Sequence, residues 1–344
     1  MEYRLLGGSG CAVSALALGA LTFGNETSEE DSHAQLDLFV EAGGTLVDTA
    51  DVYADTRSEE IIGRWLASRP GIREAVVLAT KGRFPTDETP NGHGLSRRHL
   101  ASALDASLRR LNVQTIDLYQ LHSWDPLTPI TETLRFLDDA VRAGKIHYVG
   151  LSNFTGWQLQ KTVDAADARD LSRPVTLQPQ YNLLARAIEW EIVPACQAGD
   201  LGLLAWSPLA SGWLTGKYQP NQPPPGGSRA AENADLGMKI WNQRGHLQQT
   251  WQVLDAVRKV ADERGVPMSQ VAVAWLLGRP SVTSVILGAR TLQQLEQNLA
   301  TKDVRLSDEE IQLLDQVSEP PTPDYPYGVP GQSQRSRRIQ GGRF

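Results

Sequence analysis

The sequence predicts an α/β chain folded as a (β/α)8 TIM barrel, with an N-terminal β-hairpin plug and a long loop after the seventh strand. Three observations carry this expectation. Short β-rich runs alternate with longer helical patterns almost to the end of the 344 residues. The alternation repeats eight times, the number that closes a parallel barrel with helices outside. Polar residues also stand at the carboxyl ends of successive runs, the rim on which such barrels keep their active sites.

The chain opens on two short runs, 3–6 and 11–14, around Gly8-Ser-Gly10. These glycines neither follow a strand nor open a helix, so they read as a hairpin turn rather than a dinucleotide fingerprint. The hairpin would plug the bottom of the barrel. Eight units follow: 13–18 before the helical 28–42, 44–47 before 58–68, 75–80 before 96–111, and 116–121 before 129–143. Next come 146–151 before 155–167, 174–179 before 187–197, 201–205 before a long irregular stretch, and 282–287 before 291–299. Ser96 suits an N-cap ahead of Leu100, Leu104, Leu108 and Leu111. Pro129 suits an early helical position, and Gly144 a helix C-terminus. Residues 218–227 hold Pro220, Pro223, Pro224, Pro225, Gly226 and Gly227, which exclude regular structure and make a loop expected to lie over the rim. Helical pattern resumes at 245–264 and 269–277. A single barrel domain is expected over 1–318. The tail 319–344, with Pro320, Pro321, Pro323, Pro326 and Pro330, is expected to be non-helical and partly mobile.

Bulk properties narrow the function. The chain carries 33 basic and 40 acidic residues, a net charge of −7, which favours solubility and gives nucleic-acid binding no support. The basic stretch Arg335-Ser-Arg337-Arg338 reads as a loose terminus. Two cysteines, Cys11 and Cys196, are too few for a disulfide framework. No long apolar run is present, so neither a signal peptide nor a membrane span is expected, and a cytoplasmic location is the default.

The chemistry lies in four residues taken in order. Asp48 ends one run and Tyr53 follows five residues later; Lys81 and His122 end the next two. Free tyrosine has a pKa of ~10 and is a reluctant acid at neutral pH. A nearby ammonium lowers that pKa, and a buried carboxylate holds the ammonium in place. Tyr53 is therefore expected to donate a proton to a carbonyl oxygen, with Lys81 and Asp48 tuning it and His122 orienting the substrate. Later elements suit a dinucleotide. Ser152, Asn153 and Gln178 can grip a carboxamide, and Trp206 can stack on a flat ring. Gly288-Ala-Arg-Thr-Leu-Gln294 opens a helix, where Arg290 offers a planar fork to phosphate.

With these residues assembled, the chain strongly resembles the aldo-keto reductase family. The matching stretches are Tyr3-Arg-Leu-Leu-Gly7, Gly19-Ala-Leu-Thr-Phe-Gly24, Asp48-Thr-Ala-Asp-Val-Tyr53, Thr80-Lys81, Leu118-Tyr-Gln-Leu-His122, Gly144-Lys-Ile-His-Tyr-Val-Gly-Leu-Ser-Asn-Phe154, Ser207-Pro-Leu209, Leu214-Thr-Gly-Lys-Tyr218 and Gly288-Ala-Arg290. The resemblance implies NADPH bound across the carboxyl rim and reversible reduction of an aldehyde or ketone. It carries the catalytic tetrad onto Asp48, Tyr53, Lys81 and His122. It places the nicotinamide on Ser152, Asn153, Gln178 and Trp206, and the pyrophosphate on Ser207, Leu209, Ser211 and Lys217. The adenosine end falls to Gly288, Arg290, Gln294, Gln297 and Asn298, with Arg290 favouring the 2′-phosphate, and Thr22 joins the cofactor set. The family more often has an acid where Gln297 stands. The Ser-Pro-Leu and Gly-Lys-Tyr elements resemble its bacterial, plant and channel-β-subunit side. Asp51, Phe23, Trp124 and Tyr325 are candidate substrate neighbours, with rim packing as the alternative for each.

Two rival readings stand beside the reductase. One is an NADPH-binding regulatory or sensor protein with slow turnover, like the family's channel β subunits; these commonly carry Asn where His122 stands. The other is an isomerase or lyase without nicotinamide, which Arg290 with Lys217 disfavours. The expected partner is a small carbonyl substrate, with no nucleic acid and no membrane. A homo-oligomer is left open.

Overall fold

A computed structural model describes residues 1–220, 222–232, 236–329, 331, 338–339 and 342–343. Eight parallel strands close into a barrel: β3 (Leu16–Gly19), β4 (Leu46–Asp48), β5 (Val77–Gly82), β6 (Ile116–Leu121), β7 (Ile146–Ser152), β8 (Pro174–Gln178), β9 (Gly202–Ala205) and β10 (Val282–Leu287), with β10 pairing back onto β3. Helices α1 (Glu29–Glu41), α2 (Arg57–Ala67), α3 (Arg97–Leu111), α4 (Ile130–Arg142), α5 (Gly156–Asp167) and α6 (Ile192–Ala198) follow the first six of these strands. After β9 come α7 (Arg229–Glu232), α8 (Leu236–Gly245), α9 (Gln248–Arg264) and α10 (Met268–Leu277). After β10 come α11 (Leu292–Leu299) and α12 (Asp308–Ser318). Among the described residues, no helix is long and apolar enough to cross a membrane.

The hairpin forms as expected from β1 (Tyr3–Leu5) and β2 (Ala12–Ser14), with Tyr3 opposite Ser14. Its Leu6 and Val13 pack into one buried cluster with Ala17, Leu46, Ala79, Leu118, Leu204 and Ile286, the inward side chains of the barrel. The Gly8 N–H donates to the Asp200 carbonyl at 2.7 Å. Gly7 is obligatory here: its φ is +57°, and a Cβ would lie 1.8 Å from the Val175 carbonyl oxygen. The hairpin thus stops one end of the barrel and leaves the carboxyl rim open.

Several boundaries differ from the sequence expectation, each for a physical reason. The run 13–18 serves two strands, since Ala15 separates β2 from β3. The third strand starts two residues late because Arg73–Ala75 turns as a 3-10 helix, so Lys81 lies inside β5 rather than at the end of a run. The helix expected over 187–197 is broken into a 3-10 turn, Ala187–Glu189, and α6. Pro194 has no N–H to give; starting the helix at Ile192 puts it in the first turn, where none is needed. The proline loop is irregular over its described residues, but α7 and α8 then form ahead of the expected helix. Trp241 of α8 stacks on Trp213 at 4.9 Å and meets Tyr218 at 5.3 Å. Helix α12 was not expected either. Ser307 and Glu310 form its capping box, while Leu314 is fully buried. In the tail, Tyr327 stacks on Trp190 at 5.4 Å, and residues 332–337, which include Arg335 and Arg337, lie outside the described residues.

Candidate active site at the carboxyl rim

Strand parity builds the site. Side chains alternate across a strand with period two. Two residues beyond the inward layer of Ala17, Leu46, Ala79, Leu118, Leu204 and Ile286 stand Gly19, Asp48, Lys81, Gln120, Trp206 and Gly288. The next inward layer, at the open end, is therefore polar. Lys81 is wholly buried, and its Nζ donates to Asp48 Oδ2 at 2.7 Å, to the Thr49 carbonyl at 2.8 Å and to the Tyr53 hydroxyl at 3.2 Å. Asp48 Oδ1 accepts from Gln120 Nε2 and Gln178 Nε2, both at 2.9 Å. A carboxylate so fully hydrogen-bonded withstands burial, and it holds the ammonium charged.

Tyr53 reaches this centre through a tight turn. Ala54, Asp55 and Thr56 take φ values of +50°, +53° and +75°, three consecutive left-handed residues that fold the chain back before α2. Ser58 fastens the turn, its hydroxyl donating to the Ala20 carbonyl at 2.8 Å and its N–H to the Tyr53 carbonyl at 3.3 Å. The His122 ring lies 5.8 Å from the Tyr53 ring, and Phe84 meets the imidazole edge-on at 4.7 Å. The structure thus brings Asp48, Tyr53, Lys81 and His122 together on one rim.

The electrostatics correct one expectation. Lys81 was expected to lower the Tyr53 pKa, yet the net shift is upward, because burial disfavours the phenolate more than the ammonium favours it. Tyr53 is therefore a firmly protonated phenol. Burial opposes the charge on Lys81, but Asp48 and Tyr53 outweigh it and raise its pKa. Burial, with help from Lys81 and Arg83, drives His122 down to about 2, and its Nδ1 is buried without a partner. At neutral pH the imidazole is uncharged and carries one N–H.

The residues expected to face a cofactor fall into linked groups. Asn153, at φ +56°, donates to the His122 carbonyl at 3.0 Å and to Ser152 Oγ at 3.1 Å, and accepts from Trp206 Nε1 at 3.1 Å. Ser152 donates in turn to the Gln178 carbonyl at 2.9 Å. Gln178 spends its amide nitrogen on Asp48, so what it can offer a carboxamide is its oxygen. Ser207, Ala210, Ser211 and Gly212 all have positive φ (+56°, +51°, +59° and +90°), winding the loop after β9 under Leu209. A Cβ on Gly212 would lie 2.6 Å from Lys217 Nζ, so the glycine makes room for that lysine. Thr22 donates to the Ala289 carbonyl at 2.9 Å and ties the β3 and β10 loops together. Gly288 faces open space. Gln294 caps the Arg290 N–H through its side chain, Gln297 accepts from Gln270 through its carbonyl, and Asn298 is buried. The Arg290 guanidinium pairs with Glu26 and donates to the Gly227 carbonyl at 3.0 Å. An incoming phosphate would meet a fork already facing a carboxylate.

Four supporting residues escaped the sequence reading. Gln120, the Thr49 carbonyl and Phe84 are described above. Glu59, fully buried, joins Arg110 at 2.7 Å and Thr80 at 2.6 Å behind the site. Only Gln120 had a readable signal, two residues before His122 and so on the same strand face. Of the candidate substrate neighbours, Asp51 and Phe23 are wholly buried and Tyr325 is exposed. Trp124 packs edge-on against Phe154 and Trp157 at 5.4 Å.

Residues 15–319 match the family model described as "Aldo/keto reductase family". The chain belongs to the aldo/keto reductase family. It is 37% identical over 325 residues to the Bacillus subtilis protein named "Uncharacterized oxidoreductase YrpG", covering 92% of this chain and 96% of that one. It is also 37% identical to a rice protein named "Probable voltage-gated potassium channel subunit beta", over 88% of this chain and 92% of the other. A versiconal hemiacetal acetate reductase of Aspergillus parasiticus is 34% identical, over 92% and 96%. Aldo/keto reductases generally use nicotinamide cofactors, and the linked amides beside the tetrad, the glycine-widened loop at Lys217 and the open α11 entrance at Gly288 fit such a group.

Proposed function

We propose that this protein is an NADPH-dependent carbonyl reductase, turning an aldehyde or ketone into an alcohol with Tyr53 as general acid. One observation carries the reading: a buried, charged Lys81 Nζ sits between the Asp48 carboxylate and the Tyr53 hydroxyl, at 2.7 and 3.2 Å. A reduced nicotinamide, when bound, supplies the hydride that the carbonyl carbon accepts.

The chain's own residues supply the rest. Tyr53 keeps its proton until a carbonyl oxygen gains negative charge, and then donates it. The Lys81 ammonium stabilises the phenolate that remains, and Asp48 with its two glutamine donors holds that ammonium in place. His122, neutral, offers an N–H to the same oxygen. Ser152, Asn153, Gln178 and Trp206 suit the nicotinamide end. Ser207, Leu209, Ser211 and Lys217 suit the pyrophosphate, and Gly288, Arg290, Gln294, Gln297, Asn298 and Thr22 the adenosine end. The name of the Aspergillus relative and the His at position 122 favour turnover over the regulatory reading that the rice relative's name raises.

The test is consumption of NADPH by the purified protein across a panel of aldehydes and ketones, beside a tryptophan-fluorescence titration with NADPH. Turnover of any member with product alcohol supports the reading. Tight NADPH binding with no turnover of the whole panel would overturn it in favour of a sensor.

A further inference from the structure

Arg83 follows β5 directly, two residues beyond Lys81, on the rim that carries the tetrad. Its φ of +149° is a conformation that a side-chain-bearing residue adopts only at a cost. The guanidinium carbon lies 4.8 Å from the Phe84 ring, and that ring lies 4.7 Å from the His122 imidazole. The cation is therefore layered one aromatic ring away from the tetrad. Of its five N–H donors, one has a partner among the described residues, the Trp124 carbonyl at 3.4 Å, and the buried Nε has none.

No described carboxylate lies within ion-pair distance of Arg83. The acid it influences is Asp125, whose oxygens are already taken by the Leu95 N–H at 2.9 Å, the Leu127 N–H at 2.9 Å and the Thr128 hydroxyl at 2.6 Å. Arg69, Arg73, Arg110, Arg186 and Arg264, by contrast, each hold a carboxylate within 3 Å. Desolvating a guanidinium nitrogen without a partner costs free energy that the protein alone does not recover. A planar fork held by a ring face at the mouth of a reducing site matches a carboxylate in two parallel hydrogen bonds.

We infer that Arg83 is a specificity-determining residue that binds a carboxylate on the substrate, so the preferred substrates are carbonyl compounds bearing an acid group several atoms from the reacting carbon. This rests on the reductase reading of the rim. The layered spacing through Phe84 places the anion beyond the ring rather than next to the carbonyl, which favours aldehydes with a spacer over 2-oxo acids.

The experiment compares 4-carboxybenzaldehyde with benzaldehyde, which differ by the carboxylate alone. In the wild type the kcat/KM ratio of the two should exceed ~10, carried by KM, as one charged hydrogen-bond pair allows. In Arg83→Met that ratio should fall to about 1; in Arg83→Lys, which keeps the charge and loses the fork, it should be intermediate. A ratio unchanged in Arg83→Met, or near 1 in the wild type, overturns the inference. A second measurement needs no turnover: 4-(hydroxymethyl)benzoate, titrated by tryptophan quenching against NADP-loaded protein, should bind the wild type at least ~10-fold more tightly than Arg83→Met. Equal binding overturns the inference even if both aldehydes are reduced. If neither aldehyde is reduced, this titration alone decides the role of Arg83, while the wider aldehyde and ketone panel decides the reductase reading.

Discussion

Burial holds Tyr53 in its acid form, and in the proposed reaction the Lys81 ammonium 3.2 Å away is what would stabilise its anion. Reading the sequence found Asp48, Tyr53, Lys81 and His122 because each is a polar residue at or near a strand's carboxyl end. It misjudged the sign of the tyrosine shift because desolvation depends on packing that no local motif reports. Asp51 is the other such residue. It lies between Asp48 and Tyr53, fully buried, and neither carboxyl oxygen has a partner. Burial and the nearby Glu59 push its pKa up to about 8, against ~3.9 when unfolded. The folded state therefore binds one more proton than the unfolded state between roughly pH 4 and pH 8, so Asp51 makes stability fall as pH rises through that window. His122 acts with the opposite sign, adding stability as pH rises from about 2 toward ~6.5. Asp51→Asn should remove the first effect alone, recovering about 1–3 kcal/mol of the stability the wild type loses between ~pH 6 and ~pH 8. Denaturant unfolding at both pH values would show it; identical losses in the two proteins would contradict the assignment.

At the scale of elements, three rim loops are fastened together by few bonds. Thr22 joins the β3 loop to the β10 loop, Thr27 donates to the Arg290 carbonyl at 3.3 Å, and Arg290 reaches both Glu26 and the end of the proline loop at Gly227. A cofactor phosphate at Arg290 would have to displace or tolerate the Glu26 carboxylate. Glu26→Gln should therefore tighten NADPH binding by roughly 3- to 10-fold, on the scale of a charged hydrogen bond, with NADH changed much less. Fluorescence titration with both cofactors measures this; an equal change in both would remove the phosphate from Arg290. Such long-range pairings were illegible in the sequence, since residues 26, 227 and 290 share no local pattern. Strands β6 and β10, by contrast, were readable to the residue, because their apolar runs are bounded by turn signals. Helix α12 was missed although Ser307 and Glu310 carry a capping signature, and α8 was missed because the proline run before it drew the whole segment into a loop.

For the whole molecule, eight alternations of strand and helix were enough to specify closure, and the hairpin's Leu6, Val13 and Gly7 explain why only one end of the barrel is open. That polarity gathers the polar inward layer at the free rim, the end on which the proposed reaction is placed. In the proposed function, this layer is what lets one phenol give up its proton. Replacing Tyr53 with Phe and measuring aldehyde turnover together with NADPH affinity tests it most directly. Turnover should fall at least ~10²-fold while NADPH affinity stays within about 2-fold of the wild type. A Phe variant that reduces aldehydes at the wild-type rate would contradict the claim.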